Sequence, residues 1–187
     1  SQMGREEKFD QKSVLGLMSA FEKMGGEGKD QRAGDFIEGM QKGLGEGGNA
    51  NIRLLKTKFA TDAHPELAND PYAIARIIEE GNDPKYQVAA MKGIVDIGGG
   101  QKSQNTQFLM KEFFKGSGLT ASMRDKLMKS VENPDIMNSW LGKNLGAGSG
   151  VDKPFSTDDA KEYAKSKVTV TDELLGDISK KIGGISD

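Results

Sequence analysis

Apolar positions recur at helical spacing along almost the whole chain. Val14, Leu15, Leu17, Met18 and Phe21 fall at the i, i+3, i+4 and i+7 positions that line one face of a helix. A glycine break at residues 24–28 follows. Phe36, Ile37, Met40 and Leu44 then form a second stripe, closed by Gly45-Glu46-Gly47-Gly48. Ile52, Leu54, Leu55 and Phe59 mark a third segment, and Ile74, Ile77 and Ile78 a fourth. Val88, Met91, Ile94 and Val95 mark a fifth, interrupted after it by Ile97-Gly98-Gly99-Gly100. Phe108, Leu109, Phe113 and Phe114 predict another helix. Met123, Leu127, Met128 and Val131 predict the next, capped by Thr120. Ile136, Met137, Trp140, Leu141 and Leu145 predict one more, with Trp140 as a core anchor. Beyond the flexible break at residues 146–150, a polar helix from Ser156 and a last amphipathic segment from Thr171 are expected. Only residues 167–171, Lys-Val-Thr-Val-Thr, alternate like a strand. The pattern predicts an all-α protein, a single compact domain of eight to ten short helices. Residues 1–12 read as a polar leader, a cloning remnant ahead of a domain from a longer protein. Residues 13–175 read as the domain, and residues 176–187 as a fraying tail.

The punctuation between these stripes is specific. Asn-Asp-Pro occurs at residues 69–71 and again at 82–84. Asp70 and Asp83 stand where an N-cap belongs. Pro71 and Pro84 stand at the first helical position, where a missing N–H costs nothing. Gly81 is placed to close the first of these helices in the left-handed conformation. Asn133-Pro134-Asp135 is a related third start. A calcium loop needs oxygen ligands at alternating positions and a closing acidic residue, which neither repeat supplies. The tandem motif therefore predicts two adjacent helices.

Composition narrows the chemistry. The chain has no cysteine, so it has no disulfide, thiol nucleophile or cysteine-held zinc. Its one histidine, His64, has no G-x-S-x-G nucleophile elbow to serve, and His-Pro-Glu-Leu reads as a turn entering a short helix. Gly28-Lys29 is followed by Asp30, which would repel phosphate, and no strand precedes it, so the glycine runs are helix breaks. The adjacent carboxylates Glu79-Glu80, Asp158-Asp159 and Asp172-Glu173 leave open a helical carbohydrate or peptidoglycan hydrolase, which needs two carboxylates across a cleft. A structural or secretion-apparatus component is a further alternative. No run of apolar residues is long enough for a membrane span, and nothing in the pattern asks for a cofactor or metal.

Charge is uneven although the total is only −2. Residues 60–83 carry six carboxylates against Arg76, a net −5. Residues 101–130 carry Lys102, Lys111, Lys115, Arg124, Lys126 and Lys129 against Glu112 and Asp125, a net +4. Aromatic residues interleave little with the basic ones, which suits an acidic protein surface at least as well as nucleic acid.

Several landmarks carry a family resemblance: Leu15-Gly16, Phe36, Leu44, His64-Pro65-Glu66-Leu67, Gly118-Leu119-Thr120 and Gly146-Ala147-Gly148-Ser149. Their order resembles the C-terminal actin-binding domain of the SipA family of type III secreted effectors, over residues 13 to 175. The stretch from Pro71 to Gly116 is longer here, by about a helix and its connections. The resemblance implies a compact all-helical domain without catalysis. Its partner would be a host protein, filamentous actin, and it would act in the host cytoplasm after secretion. It draws attention to Arg124, Asp125 and Lys126, just after the Gly-Leu-Thr landmark and inside the basic stretch. The expected partner-binding residues are Lys111, Lys115, Arg124, Asp125, Lys126 and Lys129. One of Arg124 and Lys126 is expected to meet the partner while the other packs or pairs with Asp125 or Glu132. A Gly-Ala-Gly-Ala exchange-factor loop is only brushed by residues 146–150, which end in Ser149-Gly150 with little helix after them.

Overall fold

The computed structural model describes residues 11–25 and 33–143. Among the described residues there are eight α-helices, one short 3₁₀ turn and no strand. The helices are α1 (Gln11–Lys23), α2 (Ala33–Leu44), α3 (Ala50–Ala63), α4 (Pro71–Glu80), α5 (Pro84–Gly98), α6 (Gln104–Phe113), α7 (Ala121–Ser130) and α8 (Pro134–Trp140), with the 3₁₀ turn at Pro65–Leu67. The fold is all-α, as the periodicity predicts. The expected segments from residue 144 onward, including the alternating stretch 167–171, lie outside the described residues. So do Asp158-Asp159, Asp172-Glu173 and the break at 146–150.

The tandem Asn-Asp-Pro motif opens two helices. Asp70 accepts from the Ala73 backbone N–H, and Asp83 from that of Tyr86. Gly81 closes α4 at φ 64°, a left-handed conformation that favours glycine. Thr120 and Asn133 cap α7 and α8 in the same way.

α5 is the centre of the molecule. It touches α1, α2, α3, α6, α7 and α8. Tyr86, Val88, Ala90, Met91, Ile94 and Val95 are all buried along it. Lys85, Lys92 and Asp96 keep one face of α5 exposed, and the polar groups that it carries inward on the other must be satisfied there. Tyr86 does so by donating its hydroxyl to Leu44 O at 2.5 Å. Gln87 donates to Gly81 O and accepts the indole N–H of Trp140 at 2.8 Å. Trp140 is fully buried, as its position among Ile136 and Met137 predicts.

α1 packs along α8. Gly16 makes that approach possible. A Cβ at this position would stand 2.7 Å from Trp140 O and 3.0 Å from Ser139 O, both backbone atoms. In α2, Gly39 and Gly43 receive the side chains of Leu119 and Phe114. This small-residue face seats the loop that joins α6 to α7.

Leu54 and Phe108 belong to the apolar patterns that mark their helices, yet they are 69% and 62% exposed. The buried face of α3 is Ile52, Lys56, Phe59 and Ala60, and that of α6 is Thr106, Met110 and Phe113. Leu54 and Phe108 each lie two residues from members of those faces, about 200° around the helix.

Candidate interaction surface

The basic stretch spans α6, the connecting loop and α7. α6 starts at Ser103, whose hydroxyl accepts from the Asn105 N–H. Its inner face, Thr106, Met110 and Phe113, is buried. Its outer face carries Phe108 and, one turn on, Lys111, both exposed. Lys115 follows in the turn after the helix and is also exposed. The chain then dips back into the core. Ser117 donates its hydroxyl to Phe114 O and accepts from the Leu119 N–H, and Leu119 is buried over Gly39.

α7 inserts Met123, Leu127 and Met128 into the core. That orientation leaves Arg124, Asp125 and Lys126 half-buried and Lys129 exposed. Arg124 donates from Nη1 to Leu119 O at 2.9 Å, which braces the loop before its own helix. Lys126 donates to Gly25 O at 3.1 Å, tying α7 to the end of α1. Asp125 pairs with Lys129 at 2.9 Å. Of the expected roles for Arg124 and Lys126, packing or pairing with Asp125 or Glu132, the pairing with Asp125 falls instead to Lys129 at i+4, while Arg124 and Lys126 bond backbone carbonyls. Adjacent positions on a helix diverge by about 100°, whereas residues four apart share a face.

The six expected residues thus divide. Lys111, Lys115 and Lys129 present exposed ammonium groups, with Asp125 paired to the last. Arg124 and Lys126 each have a donor committed to a backbone carbonyl. Phe108 was not among the expected site residues. Its signal in the sequence was its offset from the Thr106, Met110 and Phe113 repeat.

The remaining candidates have structural surroundings. His64 ends α3, and its two ring nitrogens face carboxylates: Nδ1 lies 3.4 Å from Glu66 Oε2, and Nε2 contacts Asp83 Oδ2. That same Asp83 oxygen caps α5, so the pair fastens the end of α3 to the start of α5. The exposed Glu66 carboxyl is held below its usual range, first by a backbone hydrogen bond and then by His64. Glu79 and Glu80 end α4. Among the described residues no three His, Cys, Asp or Glu side chains gather as a metal site. No described helix is long and apolar enough to cross a membrane.

A second residue missed in the sequence is Lys56, only 3% exposed. Its ammonium donates to Gly45 O at 2.7 Å and Gly47 O at 3.1 Å, and it stands 5.9 Å from the centre of the Phe113 ring. Burial lowers its pKa to about 8. The signal was position: residue 56 falls within the repeat of Ile52, Phe59 and Ala60.

No family model matches this chain, and neither does any curated protein or solved structure.

Proposed function

We propose that this chain is a non-enzymatic interaction domain that docks an acidic host-protein surface, most specifically filamentous actin, on the outer face of α6 and the neighbouring part of α7. The observation that carries the reading is Phe108, 62% exposed and one helical turn from the exposed Lys111. An exposed aromatic beside cations combines an apolar anchor with electrostatic complementarity, a pairing common at protein interfaces. Lys115 and Lys129 extend the charge. Arg124 and Lys126 act as positioning residues that hold the loop and α7 in place. The resemblance of the landmark order to the SipA family supports actin as the partner and a type III secreted effector as the setting.

Cosedimentation with actin filaments tests this reading. The chain is expected to pellet with filaments, and less so as salt rises, because exposed charges are screened beyond about 8 Å at physiological ionic strength. Combined reversal of Lys111, Lys115 and Lys129 to Glu, or Phe108→Ala alone, is expected to weaken pelleting by about tenfold or more while leaving the helical circular dichroism unchanged. No pelleting by the parent chain overturns the actin assignment. Undiminished pelleting by both folded variants removes this face as the site.

A further inference from the structure

Away from α6 and α7, a cleft of about 350 Å³ opens between α3 and α4. Arg53, Thr57 and Thr61 line it at successive turns of α3, and Ile74, Ala75 and Ile78 line it from α4. The chain turns between the two helices at Ala68, which closes one end. Glu46 and Gly47 border the other end. Lys56 lies at that second end, bonded to Gly45 O, and so does Ile78, whose carbonyl would be 3.7 Å from a Cβ on Gly45. From Arg53 to Thr61 the cleft follows about 12 Å of helix.

Its chemistry is lopsided. The α4 wall is aliphatic and offers no side-chain hydrogen bond. On α3, the hydroxyls of Thr57 and Thr61 donate to the carbonyls of Arg53 and Thr57. They present only lone pairs to the cleft and repel an anion along its middle. The cationic donors are at the Gly47 end. Arg53 commits one N–H to Gly48 O, and a guanidinium carries five. Lys56 commits two of its three, to Gly45 O and Gly47 O, and pairs with no carboxylate among the described residues. Of the residues lining the cleft, only Glu46, Arg53 and Lys56 are charged, so this end carries one net positive charge.

We propose that the α3–α4 cleft binds a free medium-chain fatty acid, its carboxylate held by Arg53 and Lys56 and its alkyl chain laid along Ile74, Ala75 and Ile78. The volume lies within the range of small-ligand sites, about 300–1,000 Å³, and such sites combine an apolar lining with a few convergent polar groups. A single net positive charge suits a monoanion. The aliphatic wall suits an alkyl chain and offers nothing to a sugar or nucleoside. The ligand carboxylate supplies the counter-charge that Lys56 lacks.

The test uses the whole chain, isotopically labelled, titrated with sodium decanoate below its micelle concentration and followed by amide chemical shifts. Saturable one-to-one shifts are expected at Gly47, Thr57, Ala75 and Ile78. Arg53→Glu is expected to weaken binding by about tenfold or more, as is Ala75→Trp, which fills the cleft from an exposed position and leaves the charges in place. Glu46→Gln is expected to tighten binding, and 1-decanol to bind about tenfold or more weakly than decanoate. The same spectra report whether each variant is folded. The proposal is overturned by an absence of saturable shifts, or by shifts confined to residues outside the cleft. Equal affinity in the folded Ala75→Trp variant, or equal affinity for decanol, also overturns it.

Discussion

Lys56 occupies a position that the repeat of Ile52, Phe59 and Ala60 reserves for an apolar side chain. Its aliphatic stem satisfies that repeat, while its ammonium bonds the carbonyls of Gly45 and Gly47 just after α2. The pattern of a sequence assigns lysine to solvent, so the stem's role was hidden there. Leu54 misled in the opposite sense, since a leucine in a helix suggests core but here lies off the buried face. Burying the Lys56 charge has a measurable consequence. Its folded pKa of about 8 is below the ordinary 10.5. Between those values the unfolded chain binds the proton that the folded chain has released, so stability from this residue rises with pH. Below about pH 8 the full cost of the buried charge is present. Urea unfolding of the parent and Lys56→Met at pH 7 and pH 9.5 is expected to show the difference between them moving in the parent's favour by about 1–2 kcal/mol at the higher pH. Groups common to both proteins, including Tyr86 with its pKa raised by burial, cancel in that difference. A constant difference would mean that Lys56 does not titrate in this window.

At the scale of elements, the caps were the most legible feature. Asp70-Pro71, Asp83-Pro84 and Asn133-Pro134 each open a helix because the signal is local: a side-chain acceptor, then a residue that needs no N–H partner. The contact between His64 and Asp83 was not legible, because it joins residues from the end of one helix and the start of another. Asp83 therefore has two tasks that substitution can separate. Asp83→Ala removes both the cap and the partner of His64, and is expected to cost about 1–2 kcal/mol. Asp83→Asn keeps a good capping acceptor but removes the charge facing His64, and is expected to cost less than half as much. Chemical denaturation of the two variants measures this. Equal losses would assign the whole effect to the histidine contact. The candidate surface divides along the same line. Its net charge was visible in the sequence, but the commitment of Arg124 to Leu119 O and of Lys126 to Gly25 O depends on where the loop and α1 end.

For the whole molecule, the periodicity gave the helical class and most of the core, yet the arrangement around α5 rests on long-range contacts that no local pattern encodes. Glycine shows the difference. Gly16 stands out in the sequence only as part of the Leu15-Gly16 landmark, but in the fold it lets α1 lie against the backbone of α8. Gly16→Ala adds helix propensity of up to about 1 kcal/mol. It also drives a Cβ to 2.7 Å from Trp140 O, a backbone atom that cannot rotate aside. The clash is expected to win, with a net loss of about 1–3 kcal/mol in thermal or urea unfolding. A stabilised Gly16→Ala variant would mean that the two helices separate easily.

The pairing of α1 with α8 also sets an order of events during synthesis. α2 follows α1 directly and sets Phe36 4.7 Å from Phe21, but α8, which packs along the rest of α1, emerges only after most of the described chain has been made. At about 5–20 residues per second, that interval lasts several seconds. During it, the part of α1 that α8 will cover is open to chaperones and to other nascent chains.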